Sequence, residues 1–338
     1  MHRELLLPLR VRVASCNGET EIGFENWTAS AYPPTSDVTL KPSPITSLCL
    51  RGARSFQQRL GPHTLCCRVS FGTLSTEAAH HPALQMQAVQ REAELLVGQL
   101  RAAASPQQQA SAARALVAFC EKQQYGKEWS DAGGRAGVPA ALVQAAKIVD
   151  AALQRQAVKT LGSLVDCVYA PENQSAAGAA GAIALVMQLA KSSDADLQRQ
   201  AVTTLGLLVS CHPENQSAAG AAGAIALVMQ LAKSSDAALQ WKAVWTLGHL
   251  VSLHPENQSA AGAAGAVELM CNLLSTSPHP GVALKAVDTL NDLSLLASNA
   301  SKAMSLGAVA LLTQLKGRKG DDFDDYIVEV LAVLAEAK

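Results

Sequence analysis

Aromatic side chains make up only 4% of this 338-residue chain and charged ones only 16%. Neither an aromatic-rich β core nor a charge-solvated coil fits those values. Hydrophobic residues reach 49% and are mostly Ala, Leu and Val, the composition of close-packed helices. No excess of either sign exists, with 27 Lys and Arg against 28 Asp and Glu. Overall attraction to nucleic acid or an anionic membrane is therefore not expected, and electrostatic recognition must be local. The longest apolar run near the start, Leu5 to Leu9 with Pro8 inside it, is too short for a membrane span or a signal-peptide core. A soluble protein with no membrane association is expected.

The signatures of catalysis are also missing. The chain has no phosphate-cradling glycine loop, no nucleophile elbow, no paired carboxylates in a plausible pocket and no metal-ligand spacing. No enzyme, no metal and no small-molecule cofactor are expected. His63, Cys66, Cys67, His80 and His81 match no zinc-site pattern. Eight cysteines form no disulfide framework. Cys16, Cys49, Cys66 and Cys67 precede the patterned region, whereas Cys120, Cys167, Cys211 and Cys271 lie in apolar helical stretches and read as small buried hydrophobes. A reducing compartment, cytoplasmic or nuclear, follows.

Residues 1–82 show no sustained helical or strand period and carry turn-forming clusters such as Tyr32-Pro33-Pro34 and Lys41-Pro42-Ser43-Pro44. Mostly disorder is expected there. Val38 to Thr76 lacks acidic residues, as a transit peptide does, but Glu4, Glu19, Glu21, Glu25 and Asp37 precede it and argue for an unstructured tail. Met86 stands where the periodic part begins and is an alternative start of translation.

What the chain does have is repetition. Pro-Glu-Asn-Gln recurs at Pro171, Pro213 and Pro255, while Gly181, Gly223, Gly265 and Gly307 keep a 42-residue period. Units are expected at approximately 83–124, 125–170, 171–212, 213–254, 255–297 and 298–338. Each reads as a short, a medium and a long helix. The proline suits a first helical turn, the glycine breaks the short helix, and Ser192-Ser193-Asp194 caps the long one. Such triplets cannot close a core singly and must stack. The sequons at Asn26, Asn173, Asn215, Asn257 and Asn299 read as surface helix-entry residues.

The blocks from Pro171 and Pro213 match at 36 of 42 positions. The six differences, Asp196/Ala238, Arg199/Trp241, Gln200/Lys242, Thr203/Trp245, Leu207/His249 and Cys211/Leu253, span an arc of about 120° on the third helix, opposite its apolar stripe. The arc is either a specialised binding face or a drifting solvated one. Trp241 and Trp245 either meet a ligand or pack against a neighbouring unit. The run Asp321-Asp322-Phe323-Asp324-Asp325 either meets a ligand or favours a helix N-terminus through its dipole.

Period, glycine placement and the third-helix stretch Lys242-Ala243-Val244-Trp245-Thr246-Leu247-Gly248-His249-Leu250 together resemble the armadillo repeat family over residues 83–338. The resemblance implies an all-α fold, a right-handed α-α superhelix of about six three-helix repeats following the mostly disordered N-terminal region. It also implies a concave groove, lined by third helices, that binds another protein or peptide.

The family's Trp and Asn ladder falls here on Arg114 and Ala118, Lys159 and Ser163, Thr203 and Leu207, Trp245 and His249, Asp288 and Asp292, and Glu329 and Val333. One turn earlier stand Ala110, Arg155, Arg199, Trp241, Leu284 and Asp325. The implied groove runs from cationic (Arg114, Arg155, Lys159, Arg199) through Trp241, Trp245 and His249 to acidic (Asp288, Asp292, Asp325, Glu329). A polypeptide partner of mixed charge is expected, bound by a monomeric scaffold or adaptor. The alternatives are a cargo receptor of the importin-alpha type, against which the missing Asn ladder counts, and a targeting subunit of a larger enzyme complex such as a ubiquitin ligase.

Overall fold

The computed structural model describes residues 7–15, 18–27, 82–123, 127–166, 171–317 and 321–336. Two units divide the chain, residues 1–84 and 85–338, and each is taken by itself.

In the first unit, β1 (Leu7–Ser15) and β2 (Gly18–Trp27) pair antiparallel, with Val11 opposite Ile22 and Val13 opposite Thr20. The reading that found no strand period in residues 1–82 is thereby corrected over this stretch. Leu9, Val11 and Val13 alternate with Arg10 and Arg12 in the sequence of β1. The register shifts between Leu7 and Leu9, where Pro8 has no N–H to give the ladder. The expected disorder over 28–81, the His63 to His81 cluster and Cys167 lie outside the described residues.

The second unit is built of helices. The first repeat has α1 (Pro82–Ala102) and α2 (Pro106–Glu121), and the second has α3 (Lys127–Arg135), α4 (Val138–Ala146) and α5 (Ala151–Leu164). The two near-identical repeats follow as α6 (Pro171–Ala179), α7 (Ala182–Leu189) and α8 (Ala195–Val209), then α9 (Pro213–Ala221), α10 (Ala224–Leu231) and α11 (Ala237–Val251). The fifth has α12 (Pro255–Ala263), α13 (Ala266–Thr276) and α14 (Pro280–Ser294). The sixth has α15 (Ala297–Ser305), α16 (Ala308–Leu315) and α17 (Asp321–Glu336).

Local chemistry sets these boundaries. Gly181 takes φ +87°, a left-handed conformation open to glycine at little cost, and its counterparts in four other repeats do the same. The chain therefore turns sharply between the short and medium helices. Asp194 and Asp236 cap α8 and α11, each accepting from two backbone N–H groups at 2.9–3.2 Å. Each long helix buries one stripe, Leu197, Ala201, Leu205 and Leu208 in α8, and stacks on its predecessor in the order α2, α5, α8, α11, α14, α17. Apolar burial of about 1.5–3 kcal/mol per large side chain drives the stacking.

Polar stitches fix its register. Asn215, at the start of α9, donates through Nδ2 to Leu208 O (2.8 Å) and to Gln174 O of the preceding repeat (3.1 Å). Asn173, Asn257 and Asn299 make the corresponding pairs of bonds. All four are 3–5% exposed, which corrects their reading as surface residues. Gln174 and Gln216 reach forward to carbonyls at the end of the next long helix. Thr204, Thr246 and Thr289 each donate back to a carbonyl of the preceding long helix at 3.0–3.3 Å. These bonds occupy buried donors that would otherwise destabilise a dry interface.

Two cysteine expectations also meet the structure. Cys120 is buried, and desolvation pushes its thiol up to about 12. Cys211 is instead exposed, one residue past the end cap of α8, at φ +54°. The helix stops at Val209, so the sixth variable position belongs to a turn and not to the helical arc.

Candidate functional site

Five of the six variable positions lie on α8 and α11. Thr203, Leu207, Trp241, Trp245 and His249 are half-buried, and so are Arg199, Gln200 and Lys242. Their side chains follow the stack of long helices, with α5 on one side and α14 on the other.

The cationic rungs are tethered. Arg114 Nη2 donates to Asp150 Oδ2 (2.6 Å), Arg155 to Asp194, and Arg199 Nη1 to Asp236 Oδ2 (2.5 Å). In each case the acceptor is the N-cap of the next long helix, whose other carboxylate oxygen accepts from backbone N–H groups. Those N–H bonds first, with the arginines contributing, hold the three aspartates below the usual carboxylate range. The arginines therefore staple consecutive repeats as well as charging the face. Arg199 also reaches Asp196 Oδ1 (2.5 Å).

At the next rung both partners change. Trp241 replaces the arginine, His279 occupies the N-cap without a side-chain bond, and the indole lies against Gly281, where a Cβ would stand 3.5 Å from Trp241 Cδ1. Trp241 and Trp245 stack with centroids 6.1 Å apart and planes within 8°, and Trp245 meets the His249 ring edge-on at 4.4 Å. Trp245 covers Gly206 of α8, where a Cβ would approach its ring to 2.3 Å. Of the two readings the sequence left open for the tryptophans, the structure shows the packing against neighbouring repeats. Both rings pack across repeat boundaries and leave part of their surface on the open face.

Beyond them the face turns acidic. Asp288 pairs with Lys285 at 3.1 Å. Asp292 accepts from Ser252 Oγ (3.4 Å), and burial, then the Asp288 charge, push its carboxyl up to about 6. Burial and the Lys285 charge lower His249. Asp325 and Glu329 are exposed on α17. That helix begins at Asp321.

Sequence reasoning passed over an open cavity of about 380 Å³ on this face. Arg155, Lys159, Arg199 and Lys242 line it, and Glu121, Asp196, Gln156 and Gln200 complete its wall. Lys242 Nζ donates to Thr203 Oγ1 at 2.7 Å, and burial, then the Arg199 charge, lower its pKa. Its signal was present, since Gln200/Lys242 is one of the six differences.

One arrangement elsewhere imitates a catalytic series. Ser175 Oγ lies 2.7 Å from His212 Nε2, and His212 Nδ1 lies 3.2 Å from Glu214, with Ser217, His254 and Glu256 repeating the pattern. Nδ1, however, accepts the Asn215 N–H (3.3 Å) as a helix cap. The proton then sits on Nε2 and is donated to the serine, the reverse of what a general base needs. Among the described residues no group of three or more His, Cys, Asp and Glu is placed to hold a metal, and no helix is long and apolar enough to cross a membrane.

Helix triplets stacked through their long members define an α-solenoid repeat protein, and comparison with solved structures fixes its kind. A designed armadillo repeat protein is 19% identical, with a TM-score of 0.62 over 71% of this chain and 99% of that one. Another, solved in complex with peptide (KR)4, gives 19%, 0.62, 72% and 99%. An engineered protein gives 23%, 0.64, 73% and 97%. A family model described as the SIL1/FES1/HPBP1 C-terminal domain matches residues 173–315. No curated protein matches the chain. The fold is an armadillo-type helical repeat solenoid.

Proposed function

We propose that this chain is a non-catalytic binder of another polypeptide, taken as an extended or helical segment along the long helices. Acidic residues of the guest face Arg155, Lys159 and Lys242, and an apolar or cationic side chain rests on the Trp241–Trp245 pair. Basic residues face Asp288, Asp292, Asp325 and Glu329. One observation carries the reading. Between two repeats otherwise identical down to their stitches, the helical differences all fall on this half-exposed face. Exposed positions elsewhere, such as Lys191 and Lys233, did not diverge. Aromatic anchors supply most of the binding energy in such surfaces, and flanking charges set orientation and on-rate.

A second reading, a receptor for basic peptides, draws on the armadillo relative in complex with (KR)4 and on the carboxylates beside the tryptophans. Both readings are tested by fluorescence titration with a mixed-charge peptide panel and with (KR)4. Trp241→Ala with Trp245→Ala is expected to weaken binding by roughly 2 kcal/mol or more, about thirtyfold. Circular dichroism must show the variant folded, because both rings also pack between repeats. An unchanged dissociation constant overturns this placement of the guest.

A further inference from the structure

We infer that the cavity lined from α2, α5, α8 and α11 is a subsite for a phosphorylated side chain of the bound polypeptide. The inference rests on the groove reading above and deepens it.

Four cations from three successive repeats converge on one opening, Arg155 and Lys159 from α5, Arg199 from α8 and Lys242 from α11. Two are fixed before any guest arrives, because Asp194 holds one end of Arg155 while Asp236 and Asp196 hold Nη1 and Nη2 of Arg199, so little side-chain entropy remains to be lost on binding. The Lys242 ammonium is anchored on Thr203 and faces the like charge of Arg199, which an entering anion relieves. Lys159 is exposed and has no ion-pair partner among the described residues. A carboxylate brings one charge and two oxygens to this set. A phosphoryl group brings nearly two charges and three acceptor oxygens, and it matches the guanidinium and ammonium donors better.

The surroundings restrict what carries the phosphate. Glu121 and Asp196 stand on the cavity wall, and the face turns acidic at Asp288 two repeats from Asp196. A nucleic acid, with a charge at every step, would be repelled on leaving the cavity. One dianionic side chain within a polypeptide of mixed charge would not.

The test uses the full chain and two probes. Peptide libraries with a fixed central phosphoserine, glutamate or serine are captured on immobilised protein. The phosphoserine library is expected to be retained roughly tenfold better than the serine library and better than the glutamate one. Lys159→Gln with Lys242→Gln should abolish the difference, whereas Trp241→Ala with Trp245→Ala should lower retention of all three libraries and keep their order. Independently of any peptide, inorganic phosphate, but not chloride at equal ionic strength, should shift the Nε–Hε resonances of Arg155 and Arg199.

Equal retention of the serine and phosphoserine libraries overturns the subsite while leaving the groove reading intact. So does a phosphoserine preference that survives the lysine substitutions, or capture of single-stranded RNA with the same dependence on them. If no library is retained, the groove reading fails, and the phosphate titration decides the subsite alone, with unmoved arginine resonances overturning it.

Discussion

Replacing Gly178 by alanine should destabilise the chain, yet the same replacement should stabilise it once Asn215 is gone. Gly178 lies in the last turn of α6, with an ordinary helical backbone, so alanine by propensity alone gains about 0.5–1 kcal/mol. A Cβ there, however, would stand 2.3 Å from Asn215 Oδ1 and 3.2 Å from its Cγ. Relieving that overlap costs about 1–3 kcal/mol by overpacking, and an amide pushed aside weakens two buried bonds worth about 1 kcal/mol each. The clash outweighs the propensity gain, and a net loss of about 1–3 kcal/mol is expected. Asn215→Ala alone should lose about 2–3 kcal/mol through the two bonds and the small void. In that background nothing blocks the methyl introduced by Gly178→Ala, and its helix gain appears with opposite sign. Urea denaturation of the four chains gives the coupling directly, with hydrogen exchange at α6 and α9 guarding against local unfolding in a repeat array. If Gly178→Ala costs the same with and without Asn215, the amide does not stitch the repeats and the account of their register fails.

Other expectations follow from single residues. The Asp292 carboxyl is raised above its unfolded value, so its burial costs nothing below about pH 4, and stability is lost as pH rises toward 6. Allowing for its partial exposure, Asp292→Asn should stabilise the chain by about 1–2 kcal/mol at pH 8 and by clearly less at pH 5. Denaturation midpoints that move equally at both values would show that Asp292 carries no burial penalty. Cys211 and Leu253 occupy left-handed backbone at φ +54° and +52°, and Leu253 is 83% exposed. That conformation costs a non-glycine residue about 1–2 kcal/mol, and glycine returns part of it through unfolded-state entropy. Cys211→Gly and Leu253→Gly should each therefore raise stability by about 0.5 kcal/mol, and a destabilised variant would reveal packing that exposure conceals.

Periodicity made the helix triplets legible because every break between elements is chemically marked. Gly181 and its counterparts turn the chain, Asp194 and Asp236 cap it, and prolines open the short helices. The hairpin at Leu7–Trp27 was missed because its alternation covers few residues beside turn-forming stretches. The stitches were missed for a different reason. Asn, Gln and Thr read as surface residues whenever only one helix is considered, and their partners lie 33–46 residues away on other helices. The same distance hid the tethering of Arg114, Arg155 and Arg199, so the cationic rungs read from sequence as freer charges than they are. The lysines gave the opposite error. Lys242 was visible as a variable position, but its convergence with Lys159 depends on how α5 and α11 flank α8.

The pairing of arginine with the next cap explains why the variable face changes in coupled steps. Arg114, Arg155 and Arg199 each need an aspartate one repeat onward, and Asp150, Asp194 and Asp236 supply it. Trp241 needs space instead, and the next long helix opens with His279, Pro280 and Gly281, where Gly281 leaves room for the indole. The residue at this rung is thus matched to its neighbour one repeat onward, whereas the Asn, Gln and Thr stitches donate to backbone carbonyls that every sequence supplies. Buried polar geometry holds the scaffold constant and leaves a single strip free to change. On that strip Trp241 and Trp245 are stacked on one another, and Lys242 is tethered to Thr203 of the preceding repeat.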